Sequence, residues 1–546
     1  MDASVVVIGA GMGGLAAAAL LAARGLDVTV LESADQVGGK ARRLAVDGRL
    51  VEAGPTVFTL KSVFEALFDR CGADFDSAVA TRPLERIAHH RWPDDASLDL
   101  VADPDANADL IGRFAGAADA AGYRAFAAEA RHIWTTLADS YVQRPQTNPI
   151  GLTWRLGLKR LADLQATRPY ETLWSVLAGH FRDPRLVQLF GRYATYCGCS
   201  PFRAPATLML IAHVEAMGVW QVDGGLQAVA EGLASLARRH GARIRTGATV
   251  EAIETGRGRV TGVRLVGGER LPATAVIANC DPAALADGRF GPVAARACRP
   301  VPPPARSLSA LTWMLVAEAK GLPAAHHTVV FSGDYAREFA DLEAGRPPSA
   351  PSVYLCAQDR GDGGAAPAGP ERFQLIVNAP ARADTHPLTQ EDLARCETAM
   401  LTSLRSGGLS LRWKPGQRVL VTPTDYANLF PSTGGALYGR ASHGPLGAFL
   451  RPGSRCRIPG LYLAGGGTHP GAGVPMAAIS GRLAADALMA DLARSRASTA
   501  APKAPASMSR SAPAAMPGGM SMPSPTAAAT ASPSSPSSAR SSRPIM

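Results

Sequence analysis

The sequence is short of charge and has no long apolar run. Charged residues make up 19% of the 546 residues, below the roughly 25% of an average globular domain. No stretch approaches the about 18 consecutive apolar residues of a membrane-spanning helix, and the longest candidate, residues 15–23, is short and rich in alanine. Asp2 stands where a secretory signal would need positive charge. We therefore expect a cytoplasmic protein without a transmembrane helix.

Paired cysteines are also lacking, and the folded part carries little net charge. Of the eight cysteines only Cys197 and Cys199 lie close together, and no histidine stands at a metal-binding spacing. We expect free thiols and no metal site. The net charge of +10 arises largely in residues 494–546, which hold six basic residues and no acidic ones. This Ala/Pro/Ser-rich tail is predicted to be disordered, and the nearly balanced remainder gives no argument for nucleic acid.

The first 32 residues predict a strand, a helix and a second strand with a glycine-rich turn between. Gly9, Gly11 and Gly14 have the spacing G-x-G-x-x-G, and Gly13 adjoins them. In dinucleotide-binding proteins such glycines permit a tight turn, a close backbone approach to a pyrophosphate and close helix packing. Glu32 ends the second strand, where a carboxylate accepts from ribose hydroxyls and disfavours a 2′-phosphate. NADP is therefore disfavoured, and these residues leave NAD and FAD open.

Two later segments favour FAD. The segment 36–42 follows the second strand, and its glycine pair, Gly38 and Gly39, precedes the cations Lys40 and Arg42, which places a close backbone approach and positive charge beside phosphates. For each cation taken singly, solvated surface charge is the alternative. A further turn offers N–H groups and a hydroxyl to a flavin ring. The residues of that turn are Gly54, Pro55 and Thr56.

The last predicted strand, residues 461–464, runs into a glycine-rich loop and a helix. The positive N-terminus of that helix would stabilise negative charge on the N1/C2=O edge of a reduced flavin. His469 in the loop is a weak catalytic candidate, with capping or orienting the loop as the alternative. The other cofactor-binding candidates are Val250, Gly465, Thr468, Gly473, Val474 and Pro475.

Taken in order over residues 1–490, these motifs resemble the bacterial-type carotenoid (phytoene) desaturase family. The shared features are the N-terminal glycine motif with its glutamate, the GGK and EAGPT segments, VDGG at 222–225, GGALYG at 434–439 and the closing THPGAG-x-P. Within the family, EAGPTVFTL and GGGTHPGAGVPMAAISG are most similar to the 1-hydroxycarotenoid 3,4-desaturases. The resemblance implies one FAD, a long polyene substrate and peripheral attachment to the cytoplasmic membrane.

The implied fold is an α/β flavoprotein with two dinucleotide-binding domains, whose Rossmann-like FAD domain is split across both chain ends. We assign to the FAD domain residues 1–100, 220–300 and 455–493. Residues 101–219 are mainly helical and would form the region that faces substrate and membrane. Residues 301–454 would supply the strands and one helix of the inserted substrate domain.

The helical region is rich in aromatic residues, most of which we expect in the core, although such helices also suit a long apolar tunnel. Residues 151–164 predict a basic amphipathic helix that could lie in the headgroup region of a membrane. Its apolar face would carry Trp154, Leu158, Leu161 and Leu164. A surface helix packed on its own protein is the alternative.

The reaction implied is the removal of two hydrogens from adjacent sp³ carbons at the end of a conjugated polyene. Hydride leaves to flavin N5, the allylic cation is delocalised over the polyene, and a proton then leaves to a base that the sequence does not identify. The subgroup resemblance implies an acyclic carotenoid hydroxylated at C1 and a new C3–C4 double bond. The sequence does not identify the electron acceptor, for which oxygen and a quinone are the candidates.

Four alternatives remain at this level. A phytoene desaturase or a redox-neutral carotenoid isomerase would use the same scaffold. A flavin-free prenyl-binding escort protein belongs to another class, against which the intact phosphate-binding glycines argue. An amine oxidase would need an aromatic cage around its substrate.

Overall fold

The computed structural model describes residues 3–157, 160–321, 325–361 and 367–500. Residues 1–494 form one compact unit. The last helix continues to Ala500, so the prediction of a disordered tail is wrong for residues 494–500. The rest of the predicted tail, residues 501–546, lies outside the described residues.

The strands are β1 (Ser4–Ile8), β2 (Asp27–Leu31), β3 (Arg43–Val46), β4 (Arg49–Glu52), β5 (Phe58–Thr59), β6 (Thr81–Pro83), β7 (Arg86–Arg91), β8 (Ser97–Val101), β9 (Val219–Val222), β10 (Arg243–Arg245), β11 (Val250–Gly256), β12 (Arg259–Leu265), β13 (Arg270–Pro272), β14 (Ala275–Ala278), β15 (Ser309–Gly321), β16 (His327–Val330), β17 (Val353–Ala357), β18 (Glu371–Ala379), β19 (Leu409–Arg412), β20 (Arg418–Val421) and β21 (Leu461–Leu463).

The α-helices are α1 (Met12–Ala22), α2 (Lys61–Asp69), α3 (Pro104–Ala115), α4 (Ala117–Leu137), α5 (Pro149–Leu156), α6 (Leu161–Ala166), α7 (Leu173–His180), α8 (Pro184–Gly191), α9 (Leu210–Ala216), α10 (Leu226–Arg239), α11 (Pro282–Ala286), α12 (Tyr335–Glu343), α13 (Gln390–Ser406), α14 (Pro423–Leu429) and α15 (Val474–Ala500). A π-helical turn covers Ala138–Val142, and 3₁₀ turns cover Arg192–Cys197, Ala206–Met209, Ala294–Ala297, Pro303–Ala305 and Gly447–Leu450.

A parallel sheet with the order β10-β2-β1-β14-β21 joins both ends of the chain. Its strands β14 and β21 and residues 5–8 of β1 are continuous apolar runs, because both faces of the sheet are covered there. Val5 and Val7 point into a core shared with α1, α10 and α15. Val6 and Ile8 point to the other face, against the antiparallel sheet β11-β12-β13. Alternate side chains of β1 therefore pack into two separate cores.

A second sheet is mixed and has the order β19-β15-β18-β17-β16-β7-β8, with β20 also paired to β15. Strands β7 and β8, which fall in the segment 1–100, pair with the strands of 301–454 through β16, to which β7 is parallel. Helix α13 covers one face of this sheet with Cys396, Met400 and Leu404. The opposite face turns toward the helices of 101–219.

The prediction of one amphipathic helix over residues 151–164 is wrong. Helix α5 ends at Leu156, and α6 begins only at Leu161. Gly157 separates them with φ 80°, a left-handed conformation that ends a helix and that glycine adopts without strain. Leu158 of the predicted apolar face lies outside the described residues.

Two expectations about composition are met. No helix within the described ranges combines the length and the apolar character needed to cross a membrane. All eight cysteines are free thiols, as the scattered spacing predicts.

Glu338 of α12 makes folding depend on pH. Its carboxylate is buried and accepts hydrogen bonds from the Ser352 N–H at 3.0 Å and hydroxyl at 2.7 Å. Burial is the largest effect and raises the pKa of Glu338 to about 7. Because the folded state holds this proton more tightly, its contribution to stability is present below the unfolded pKa and is lost as the pH rises through 7.

We therefore predict that Glu338→Gln reduces the loss of stability between pH 5 and pH 8 by on the order of 2 kcal/mol. Unfolding midpoints of wild type and variant at both pH values would measure this difference. Glu343→Gln on the same helix is the matched control, because that side chain is 53% exposed. An identical pH response in the two variants would contradict the prediction.

Candidate active site

A cavity of about 1360 Å³ lies between the parallel sheet, the mixed sheet and the helical region. It exceeds the roughly 300–1,000 Å³ of a typical small-molecule site, so it has room for more than one ligand. Glycine-rich turns at the carboxyl edge of the parallel sheet line one part of it. Apolar side chains of α4, α5, α6 and α9 line another.

The turn between β1 and α1 presents bare backbone to this cavity. Gly9 has φ 93°, and Gly11, at the N-cap of α1, makes no side-chain capping bond. The first N–H groups of α1 are therefore open to an anion. A Cβ at Gly14 would lie 2.1 Å from the Gly9 carbonyl oxygen. Gly14 thus packs the helix against the turn and does not line the cavity, whereas Gly9, Gly11 and Gly13 do.

Glu32 is a buried carboxylate at the end of β2 and lines the cavity. Its Oε2 accepts from the Ala10 N–H at 2.7 Å, and its Oε1 accepts from the Ala34 N–H at 2.9 Å. Oε1 also accepts from the Ser33 hydroxyl at 3.3 Å, whereas Oε2 keeps a lone pair. The carboxylate is thereby fixed in place and able to accept from ribose hydroxyls.

The second glycine segment touches the first one. A Cβ at Gly39 would lie 3.2 Å from the Cα of Gly11. The Lys40 ammonium lines the cavity and donates to the Leu437 carbonyl at 2.5 Å, and burial lowers the pKa of Lys40. Arg42 does not line the cavity. The structure therefore brings Gly39 and Lys40, but not Arg42, to the predicted site.

The turn of Gly54, Pro55 and Thr56 lines the cavity and is held by the mixed sheet. The Gln374 side-chain amide donates to the Gly54 carbonyl at 2.9 Å. The Thr56 hydroxyl and the Tyr354 hydroxyl share a hydrogen bond of 2.5 Å. The mixed sheet therefore fixes a turn that lies between β4 and β5 in the sequence.

The closing glycine-rich loop also reaches the cavity. Gly473, with φ 108°, precedes the first residue of α15, Val474. Thr468 is buried, does not line the cavity, and donates to the Gly465 carbonyl at 2.6 Å, which closes the loop. The lining residues here are Gly465, Gly473, Val474 and Pro475, and Val250 of β11 also lines the cavity.

His469 points away from the cavity. It is buried and does not belong to the lining. Its Nε2 lies 3.0 Å from the Tyr141 carbonyl oxygen and 2.9 Å from that of Arg144, and burial lowers the pKa of His469 to about 4. This geometry suits a neutral histidine that orients the loop by donating to backbone carbonyls.

Several lining residues were missed from the sequence. Asn279 directly follows β14, and its Nδ2 donates to the Gly9 carbonyl at 3.1 Å. A polar residue right after a buried parallel strand is a usable signal, because ligands bind at that edge of such sheets. Arg192, Tyr354 and Gln374 also line the cavity, and no local sequence pattern marks them.

These features fit a dinucleotide. An uncapped helix start, two touching glycine turns that a Cβ would fill, and a fixed carboxylate all face one cavity. The remaining volume is bordered by apolar and aromatic side chains. The arrangement defines a dinucleotide-binding oxidoreductase with space for a second, largely apolar ligand.

Comparison with known proteins defines the family. The model of the flavin containing amine oxidoreductases matches residues 12–489, and the chain belongs to this family. Its FAD-binding fold is that of the α/β flavin amine oxidases. The chain is 47% identical over 490 residues to a hydroxyneurosporene desaturase of Rubrivivax gelatinosus, with 89% of this chain and 93% of the relative covered.

Further relatives agree with the predicted resemblance. A hydroxyneurosporene desaturase of Rhodobacter capsulatus is 44% identical over 90% of this chain and 98% of its own length. A zeta-carotene-forming phytoene desaturase of Myxococcus xanthus is 32% identical over 89% of this chain and 93% of its own length. The prediction of an FAD-dependent oxidoreductase of the carotenoid desaturase group is confirmed at the level of the family.

Solved structures share the fold at low identity. A putrescine oxidase bound to putrescine superposes with a TM-score of 0.55 at 16% identity, covering 90% of this chain and 100% of that one. An oxidoreductase from Methanosarcina mazei gives a TM-score of 0.54 at 16% identity, covering 89% and 100%.

The glycine turn yields a direct test of cofactor binding. A Cβ at Gly11 would meet only the Asn279 Nδ2, at 3.0 Å, so a larger residue would fill cavity space and leave the protein core intact. We predict that Gly11→Val lowers the flavin content of the purified protein at least about tenfold. Flavin released on denaturation is the measurement. Gly179→Ala in α7 is the control, since nothing lies within 4 Å of its Cβ position; full flavin in Gly11→Val would refute the assignment.

Proposed function

We propose that this protein desaturates an acyclic carotenoid that carries a hydroxyl at C1, and that the new double bond forms between C3 and C4. The observation that carries the proposal is one continuous cavity with a dinucleotide-type wall and a long apolar part. The hydroxyneurosporene desaturases at 44% to 47% identity over most of the chain support this substrate.

We assign the cofactor contacts as follows. The turns at Gly9–Gly13 and Gly39 would hold the pyrophosphate on backbone N–H groups, and Glu32 would hold the ribose. Gly54–Thr56, Lys40 and the start of α15 at Val474 would surround the ring, where the helix N-terminus favours negative charge. FAD, when bound there, supplies the acceptor for the hydride. Gly14, Arg42, Thr468 and His469 support the turns from outside the lining.

The chain's own task at the apolar part is to align the polyene and to exclude water. Side chains such as Leu137, Val142, Leu152, Leu208 and Ile211 line it. An apolar wall holds the substrate without competing hydrogen bonds and keeps water from a developing cation. The strands of the parallel sheet, split across both chain ends, would form the FAD-binding part. The helices of 101–219 and the mixed sheet would form the substrate part.

We also propose a mouth through which the polyene enters from the cytoplasmic face of a membrane. Leu161 and Tyr170 line the cavity yet are 48% and 86% exposed, so the cavity opens beside them. Ile150 and Trp154 of α5 are 70% and 78% exposed nearby in sequence. We call these four residues the mouth patch. Exposed large apolar side chains around an opening for an apolar ligand favour peripheral attachment to lipid.

The substrate proposal is tested by a side-by-side assay of 1-hydroxyneurosporene, unhydroxylated neurosporene and phytoene. We expect the hydroxylated compound to be desaturated with the highest kcat/KM, by at least about 100-fold, because a site built for a hydroxyl rejects its analogue. Pigment chromatography and the red shift of the absorption spectrum are the readouts. Equal turnover of phytoene would identify a general desaturase, and cis/trans change without a red shift would identify an isomerase.

The mouth patch predicts lipid binding. Replacing Trp154 and Tyr170 by serine should weaken cosedimentation with anionic vesicles severalfold, while flavin content stays unchanged. The matched control is Met217→Ser, since that side chain is 44% exposed and does not line the cavity. An equal loss of vesicle binding in the control, or none in the double variant, would contradict the assignment.

A further inference from the structure

A polar cluster stands in the otherwise apolar part of the cavity wall. Arg192 opens the 3₁₀ turn Arg192–Cys197, and its guanidinium lies 5.4 Å from the ring centre of Tyr196 and 5.3 Å from that of Tyr354. Tyr335, at the start of α12, completes the group. We call these four residues the Arg192 cluster, and all of them line the cavity.

The guanidinium of Arg192 has unused donors. It carries five N–H groups, and within the part of the chain that the structure describes its side chain makes one hydrogen bond, to the Tyr196 hydroxyl at 3.5 Å. Arg192 is neither fully buried nor exposed, and it borders the cavity. A cation with unpaired N–H donors at the wall of an apolar cavity favours a ligand that carries a hydrogen-bond acceptor.

Tyr335 is a second polar residue whose hydroxyl has no hydrogen-bond partner among the described residues. Its side chain is 6% exposed and lines the cavity, and among the described residues its hydroxyl makes no hydrogen bond. Its ring packs edge-on against Phe339 at 5.0 Å, which limits the positions that the hydroxyl can take. A buried hydroxyl without a partner costs free energy unless a ligand satisfies it.

Glu215 also lines the cavity and supports the cluster. Its two carboxylate oxygens accept from the Tyr193 hydroxyl at 2.7 Å and the Tyr196 hydroxyl at 2.8 Å. Burial raises the pKa of Glu215, and the two hydrogen bonds and the charge of Arg192 oppose that rise. Tyr196 thus links Glu215 to Arg192, and the carboxylate orients the guanidinium through it.

The cluster lies beside the turn assigned to the flavin ring. Tyr354, against which Arg192 stacks, shares its hydroxyl hydrogen bond of 2.5 Å with Thr56. In a substrate oxidised at C3–C4, the oxygen on C1 is only four covalent bonds from C4, or about 5 Å. The groups that recognise this oxygen must therefore stand near the hydride acceptor, as Arg192 does.

We propose that Arg192 is the specificity-determining residue for the substrate's C1 hydroxyl. Its guanidinium donates to that oxygen, the Tyr335 hydroxyl completes the contact, and Glu215 acts through Tyr196 as a positioning residue. The inference rests on the proposed function and names the polar end of the site on which substrate choice depends.

The test measures kcat/KM of flavin-loaded enzyme for 1-hydroxyneurosporene and for unhydroxylated neurosporene. We expect Arg192→Met to lower the ratio of the two values by about 10- to 100-fold, because a charge-assisted hydrogen bond is lost. Turnover of neurosporene should not fall, because methionine removes a guanidinium that a hydrocarbon end would dehydrate without replacing its water. Arg192→Lys, which keeps the charge without the planar fork, should lie between wild type and Arg192→Met.

A matched pair of variants tests the positioning role. Tyr193→Phe and Tyr196→Phe each remove one hydrogen bond to Glu215, but of the two tyrosines only Tyr196 lines the cavity. We expect Tyr196→Phe to lower the substrate ratio severalfold and Tyr193→Phe to leave it unchanged.

The outcomes separate the two proposals. If wild type fails to desaturate 1-hydroxyneurosporene, the proposed function is wrong. If wild type prefers the hydroxylated compound and both Arg192 variants keep that preference, the role of Arg192 is overturned. An equal loss of turnover on both substrates at full flavin content also overturns it, since a merely structural residue would behave in this way.

Discussion

Close packing around one asparagine brings together turns that lie far apart in the chain. The Asn279 amide donates to the Gly9 carbonyl at 3.1 Å. A Cβ at Gly11, Gly13 or Gly465 would come within 3.1 Å of the same amide. Because the backbone must approach this closely, side chains are excluded, and the N–H groups at the edge of the sheet stay open to phosphate. The cofactor wall of the cavity depends on this constraint.

The mixed sheet fixes the position of the apolar part of the cavity relative to the cofactor wall. Gln374 and Tyr354 stand on neighbouring strands of that sheet and hold the turn at Gly54 and Thr56 by hydrogen bonds of 2.9 and 2.5 Å. The same sheet face borders the apolar cavity. One rigid surface therefore positions the ring-facing turn and the substrate wall together, so their separation does not depend on a flexible linker.

Much of the fold could be predicted because buried strands are apolar runs. The strand, helix and second strand predicted in the first 32 residues coincide with β1, α1 and β2, and the strand predicted at 461–464 coincides with β21, since hydrophobic period and length decide between helix and strand there. The pairing of β7 with β16 could not be predicted, because register across more than two hundred residues leaves no local signal. At Gly157 a local signal did exist, because a glycine favours the end of a helix. The prediction of one helix over residues 151–164 gave more weight to the apolar period than to this glycine.

The site was predictable only where its chemistry is local. Glycines at fixed spacing and an acidic residue at the end of a strand indicate a dinucleotide-binding site. In the structure, Gly9, Gly11 and Glu32 line the cavity. Arg192 and Glu215 have no such spacing. In a sequence each is one charged residue among many, and charged residues are mostly exposed. Only tertiary structure shows that both contact the same tyrosine, Tyr196, at the cavity wall.

The mouth of the cavity and its wall at Arg192 differ in whether a hydrocarbon ligand leaves a polar group without a hydrogen bond. At the mouth, Leu161 and Tyr170 are exposed, and a hydrocarbon chain leaves no polar group there unsatisfied. At Arg192 a purely hydrocarbon end would dehydrate the guanidinium without replacing its water, which is costly. A substrate with one oxygenated end satisfies both parts in one orientation only, with the oxygen inward. Solvation, and not shape, would then determine which end of a long and nearly symmetric polyene meets the flavin.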